Sequence, residues 1–136
     1  MMNARDLADR YVAIWHEPNA ERRRRAVATL WTEDGLHLLQ PPQSVRDAAA
    51  ALSVDAAFQA RGHEELEARV TRAYEEFVAP GAFSFRSQHD ATRLGDVVKF
   101  HWEMVSKSGG VAGVGLEFLD LSADGRIRID YQFIET

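Results

Sequence analysis

Apolar residues recur at two different periods along this chain, and the change of period divides it. Near the start, Leu7, Tyr11, Ile14 and Trp15 fall at i, i+4, i+7 and i+8, one stripe of an amphipathic helix. Pro18-Asn19 interrupts it, and Asn19 supplies a cap for a second helix whose apolar face holds Val27, Leu30 and Trp31. Asp34-Gly35 predicts a turn, and Leu36 to Leu39 a short strand stopped by Pro41-Pro42. The Ala-rich stretch 43–60 predicts one or two short helical turns. After Gly62, Leu66, Val70, Ala73, Tyr74 and Phe77 repeat at helical spacing until Pro80-Gly81. From Phe83 the period drops to two. Turn signals at Leu94-Gly95-Asp96, Ser108-Gly109-Gly110 and Ala123-Asp124-Gly125 separate four runs of about ten residues, which predicts an antiparallel meander. Within it Val98, Phe100, Trp102 and Met104 share one face, and Val97, Lys99, His101 and Glu103 the other. Three helices followed by a meander is an α+β pattern. The sheet must cover its apolar face with the helices, and if it curls they close a cone around a cavity.

Composition narrows the function classes. The 136 residues, 46% apolar and 27% charged, are ordinary for a globular chain and predict a single domain spanning 1–136. The absence of cysteine excludes a disulfide scaffold, a thiolate metal site and a cysteine nucleophile. Sixteen basic against 21 acidic residues give a net charge of −5, which disfavours nucleic acid and anionic membranes as partners. No apolar run is long enough to span a bilayer, and the N-terminus lacks a signal-type apolar segment, so a cytoplasmic location is expected. The five histidines are scattered without a metal-ligand spacing, and no glycine-rich loop precedes a helix; neither metal nor cofactor is expected. The run Arg22 to Arg25 spreads around a helix and reads as a solvated surface.

Four short motifs stand in a telling order: Arg10-Tyr11-Val12-Ala13, Leu30-Trp31-Thr32-Glu33-Asp34, Gly115-Leu116-Glu117-Phe118 and Asp124-Gly125-Arg126-Ile127. In this the chain resembles the nuclear-transport-factor-2-like superfamily, which includes ketosteroid isomerases, SnoaL-type polyketide cyclases, scytalone dehydratase and limonene epoxide hydrolase. The resemblance implies helices packed on a curved antiparallel sheet, a cystatin-like α+β barrel with an internal cavity, here as one SnoaL-like domain. It also implies roles. Tyr11 matches the tyrosine that donates to the substrate oxyanion in ketosteroid isomerase, and Glu117 matches the protonated carboxyl that donates beside it. The general-base carboxylate falls on Leu39, which cannot take a proton.

Other residues could serve instead. Phe83, Phe85, Ser87 and His89 share a parity that turns His89 inward, and His37 shares a face with Leu39. Tyr11, Glu117, His89 and His37 are therefore the candidate catalytic residues. Each has a plainer reading: a packed aromatic, an exposed strand glutamate, a hydrogen-bonded lining histidine and a half-exposed strand histidine. Trp15, Trp102, Tyr131 and Phe133 are the expected ligand-binding wall, and the ligand a small apolar molecule. The opposite sheet face, with Val97, His101, Val105 and Ile134, predicts a homodimer. Two functions stay open: acid–base isomerisation, dehydration or cyclisation of a small apolar carbonyl compound, and non-catalytic ligand binding or dimerisation on the same fold.

Overall fold

A computed structural model describes residues 2–135. Its elements run α1 (Ala4–Ile14), α2 (Ala20–Leu30), β1 (Trp31–Leu39), α3 (Gln43–Ala51), β2 (Phe58–Arg61), α4 (Gly62–Ala73), β3 (Phe83–Ser87), β4 (Thr92–Leu94), β5 (Val97–Ser106), β6 (Val111–Leu121) and β7 (Ile127–Glu135). A π-helical turn, Tyr74–Val78, prolongs α4. The first two helices begin as their asparagines dictate: Asn3 accepts from Asp6 N and Asn19 from Arg22 N, both at 2.9 Å.

The seven strands form one curved, open sheet in the order β2-β1-β7-β6-β5-β3, with β4 also paired to β5. All pairs are antiparallel except β1 with β7, which is parallel because β1 comes from the helical half of the chain. Helices α1, α2 and α4 cover the inner face. Val27, Trp31, Leu66, Val70, Val98, Phe100, Leu119 and Ile127 are buried there, and each large aliphatic or aromatic side chain contributes about 1.5–3 kcal/mol on leaving water. Helix α3, by contrast, buries no side chain. Among the described residues no helix is long and apolar enough to cross a membrane.

Several expectations change. Trp31 opens β1 instead of closing α2, and β1 continues through Asp34-Gly35, where its register against β7 shifts. The glycine serves close approach: a Cβ at Gly35 would lie 2.8 Å from the Trp31 ring. The 43–60 stretch holds a nine-residue helix and the edge strand β2. One member of the arginine run is not solvated. Arg23 is buried, donating to Thr71 Oγ1 at 2.9 Å and to Glu17 O at 2.6 Å, because a helix turns one of four consecutive residues inward.

The most consequential change is in β7. Asp120 pairs with Ile129 but Leu121 pairs with Ile127, so Arg128 is an extra residue, a β-bulge. Strict alternation from the buried Ile127 would turn Ile129, Tyr131 and Phe133 inward. The bulge inverts this. Tyr131 and Phe133 lie half-exposed on the outer face, while Asp130 is buried and Gln132 and Ile134 line the cavity. Tyr131 and Phe133 are therefore not part of the cavity wall, and Ile134 is not on the outer face. Val105, also expected outside, is buried next to the irregularity at Met104/Val105.

Candidate active site

Sheet register assembles the site. One row across the inner face reads Phe100, Glu117, Gln132, Leu39 on β5, β6, β7 and β1, and the adjacent row reads Val98, Leu119, Asp130, His37. Helix α1 lays Tyr11 over these rows. Tyr11, His37, Glu117 and Asp130 are each at least 98% buried. Tyr11, His37 and Glu117 line one end of a cavity of about 820 Å³, with Asp130 bonded behind Tyr11; the walls also include Trp15, Leu39, Phe77, Phe85, Trp102 and Met104.

The polar groups pair closely. Tyr11 Oη donates to Asp130 Oδ2 at 2.6 Å, and Trp102 Nε1 donates to Glu117 Oε1 at 2.8 Å. Gly115 makes the second bond possible. It sits directly opposite Trp102, and a Cβ there would lie 2.0 Å from the indole. Arg69 of α4 approaches His37 Nδ1 at 3.1 Å. A guanidinium only donates, so Nδ1 is the unprotonated nitrogen. Nε2 carries the hydrogen and donates it to Gln132 Oε1 at 2.8 Å, with Asp130 Oδ2 at 3.6 Å. Burial first, and the Arg69 charge after it, push the imidazole below its ordinary pKa; Asp130 and Gln132 pull the other way. His37 is thus a neutral ring.

Glu117 Oε2 and Asp130 Oδ1 are buried oxygens that receive no donor from the protein. Two adjacent ionised carboxylates here would combine desolvation with like-charge repulsion, so the pair holds a proton between them. That proton belongs to Glu117. Burial, then the negative charge of Asp130, push its carboxyl well above the usual carboxylate range, against the bonds from Trp102 and Tyr11 that favour the anion. Burial, then Asp130 and Glu117, likewise hold the Tyr11 phenol protonated.

His37, Glu117 and Asp130 place one potential ligand atom each within 4.8 Å of one another, close enough for a metal ion. The Arg69 contact opposes that use, because coordination through Nε2 would move the proton to Nδ1 and set it against the guanidinium.

Of the candidate catalytic residues, Tyr11, His37 and Glu117 converge on this one end. His89 does not. β3 ends at Ser87, and His89 is exposed, in a left-handed conformation with φ 58°. Trp15 and Trp102 line the cavity as expected. His101 lies on the outer face, bonded to Asp90 at 2.6 Å. Sequence reasoning missed Asp130, Gln132 and Arg69. Asp130 and Gln132 share a parity within β7, but that signal points outward unless the bulge at Arg128 is known.

Helices on one face of a curved open sheet, with a polar cluster at the end of a cavity, define a cone-shaped α+β protein. By fold the chain is a member of the nuclear-transport-factor-2-like superfamily. A presumed isomerase of the SnoaL-like family from Agrobacterium tumefaciens strain C58 is 25% identical, with 96% of this chain and 95% of that chain covered and a TM-score of 0.76. An NTF2-like protein of unknown function from Mesorhizobium loti is 15% identical over 96% and 88% of the two chains, TM-score 0.65. A Catenulispora acidiphila protein with a ketosteroid isomerase-like fold, solved in complex with trimethylamine, is 15% identical over 96% and 86%, TM-score 0.62. No protein-family model and no curated protein matches the chain.

Proposed function

We propose that this chain takes a small, largely apolar, oxygen-bearing molecule into its cavity and acts on it by acid–base chemistry, as an isomerase, dehydratase or cyclase does. One observation carries the reading: the Glu117 carboxyl is fully buried at the cavity's end, and its Oε2 receives no donor from the protein. Kept neutral, Glu117 donates its proton or a hydrogen bond to a substrate oxygen as charge develops there. Trp102 N–H then stabilises the carboxylate left behind. His37 is the base among the described cavity-lining residues; its Nδ1 lone pair accepts a proton from carbon once Arg69 moves aside. Trp15 lines the cavity with an indole N–H that has no partner, a further donor for the ligand.

The alternative is ligand binding without catalysis. Leu39 supports it, because this residue lines the cavity in the same sheet row as Glu117, where the resemblance expects a carboxylate base. Both readings fit a cytoplasmic homodimer joined through the outer sheet face, where Val97, Tyr131 and Phe133 stand exposed.

Mass spectrometry of copurifying compounds, then thermal-shift screening of apolar carbonyl compounds, identifies ligands. Glu117→Gln then decides the reading. Loss of turnover with the fold intact supports acid catalysis, and unchanged turnover of an identified substrate refutes it.

A further inference from the structure

Two cations line the same cavity without a carboxylate in ion-pair contact. Arg69 on α4 and Arg46 on α3 are both half-buried, and among the described residues neither has an acidic oxygen within 4.0 Å. Their partners are neutral. Arg69 spends one nitrogen, Nη1, on three acceptors: His37 Nδ1 at 3.1 Å, His37 O at 3.3 Å and Phe58 O at 3.1 Å. Its Nε and Nη2 edge is unused. Arg46 gives its Nε to Pro41 O at 3.1 Å, and its two terminal nitrogens are unused. Glu117, the acid lining this cavity, keeps its proton and offers no balancing charge. Burial lowers the Arg69 pKa, and Asp130 and Glu65 oppose that only from beyond ion-pair distance, so the half-buried guanidinium lacks a contacting counter-charge. Both guanidinium groups thus line one mostly apolar chamber with hydrogen-bonding capacity left over.

We propose that the ligand of this cavity is an amphiphilic carboxylate: an apolar, aromatic-sized body whose carboxylate seats on Arg69 and Arg46 while an oxygen at its other end meets Glu117. A planar carboxylate matches the free Nε–Nη2 edge of a guanidinium with two parallel hydrogen bonds, and lysine could not substitute. Phe58, Phe77, Phe85 and Trp102 supply the apolar walls. Drawing Arg69 toward the carboxylate also loosens its hold on His37 Nδ1, the lone pair that the acid–base reading needs free. The inference rests on that reading for the oxygen at Glu117, whereas the carboxylate rests on the arginines alone.

Two probes separate the parts: 6-hydroxy-2-naphthoate and its neutral isostere 6-hydroxy-2-naphthamide, titrated calorimetrically into the purified full chain. The wild type should bind the naphthoate about tenfold or more tighter than the amide, the scale of one charge-assisted hydrogen bond. Arg69→Gln should abolish that preference. Arg69 also holds the Phe58 carbonyl, so Arg69→Gln could unfold the β2 edge. Arg46→Gln and Arg69→Lys keep the test open, each expected to reduce the naphthoate preference severalfold. Equal affinity for both probes, or a preference that survives both Arg69→Gln and Arg46→Gln, overturns the carboxylate assignment. Glu117→Gln, read in the same titrations, should weaken both probes alike. If it does so while the probes bind equally, the carboxylate assignment fails and the acid–base site stands. If the naphthoate preference is present but Glu117→Gln changes nothing, the carboxylate assignment holds and the Glu117 contact fails. Binding of neither probe below about 1 mM overturns the carboxylate ligand outright.

Discussion

Gly115→Ala should loosen the buried Glu117 carboxyl through a tryptophan. The added Cβ would lie 2.0 Å from Trp102 Cε2 and 2.1 Å from Cζ2, against about 3.5–4.0 Å for an unstrained carbon pair. The indole must therefore move by roughly 1.5 Å or more, and no small rotation keeps its Nε1 at 2.8 Å from Glu117 Oε1. Overpacking of this kind costs about 1–3 kcal/mol, and the lost hydrogen bond about 0.5–1.5 kcal/mol. The sum, about 1.5–4.5 kcal/mol, lowers the melting temperature by roughly 5–17 °C for a chain of this length. Urea denaturation followed by tryptophan fluorescence measures the cost, and a double-mutant cycle assigns it. In a Trp102→Ala background there is no ring to displace, so Gly115→Ala should cost about 1 kcal/mol or less. An undiminished cost in that background, or a single variant within about 0.5 kcal/mol of wild type, would refute the reasoning.

Glu117→Gln should gain stability relative to wild type as pH rises. A carboxyl whose folded pKa is raised favours folding only below its unfolded value, near the model 4.5, and that advantage is lost as pH climbs toward the folded value. Urea midpoints of the two proteins at pH 4 and pH 8 should therefore diverge in favour of the variant at pH 8; parallel curves would mean an ordinary, solvated glutamate. His37 gives the opposite sign. Its folded pKa is lowered, so wild type should lose stability relative to His37→Gln as pH falls below 6.5, where the unfolded imidazole takes a proton. Tyr131→Glu with Phe133→Glu should convert a homodimer to a monomer in light scattering, since both side chains stand exposed on the outer face. A wild-type mass already equal to one chain removes the dimer.

Helices α1, α2 and α4 were legible because apolar residues repeat at helical period, an agreement that Asn19 reinforced for α2. That agreement fails in 43–60. Helix α3 buries nothing in this chain, so its sequence needs no apolar stripe, and β2 is four residues that become a strand only because the β1 edge offers hydrogen-bonding partners. Tyr11 and Glu117 were singled out by the resemblance, Tyr11 also standing on the apolar stripe of α1, and His37 was found because it shares a strand face with Leu39. His89 could not be placed, because the chain leaves β3 at Ser87 and a left-handed residue breaks the alternation. Arg69 gave no sign of its role. On α4 it reads as one more surface cation, and only the tertiary meeting of α4 with β1 brings it to His37.

The bulge at Arg128 does more than exchange which side chains face inward; it changes what Tyr11 and Glu117 can do. In the resemblance on which these two residues were singled out, a tyrosine and a protonated carboxyl both donate to a developing oxyanion. Here the phenol is already committed, at 2.6 Å, to Asp130, a carboxylate that the inverted parity of β7 carries into the core. An internal carboxylate oxygen thus takes the phenol's hydrogen bond that the resemblance would give to the substrate. Its charge keeps the Glu117 proton on, and a substrate oxygen competes for Glu117 alone. A site built this way cannot draw its power from two short donors. On the proposed reading, its action on a ligand rests on one neutral acid and on His37, whose imidazole is held neutral by burial first and by the Arg69 charge after it.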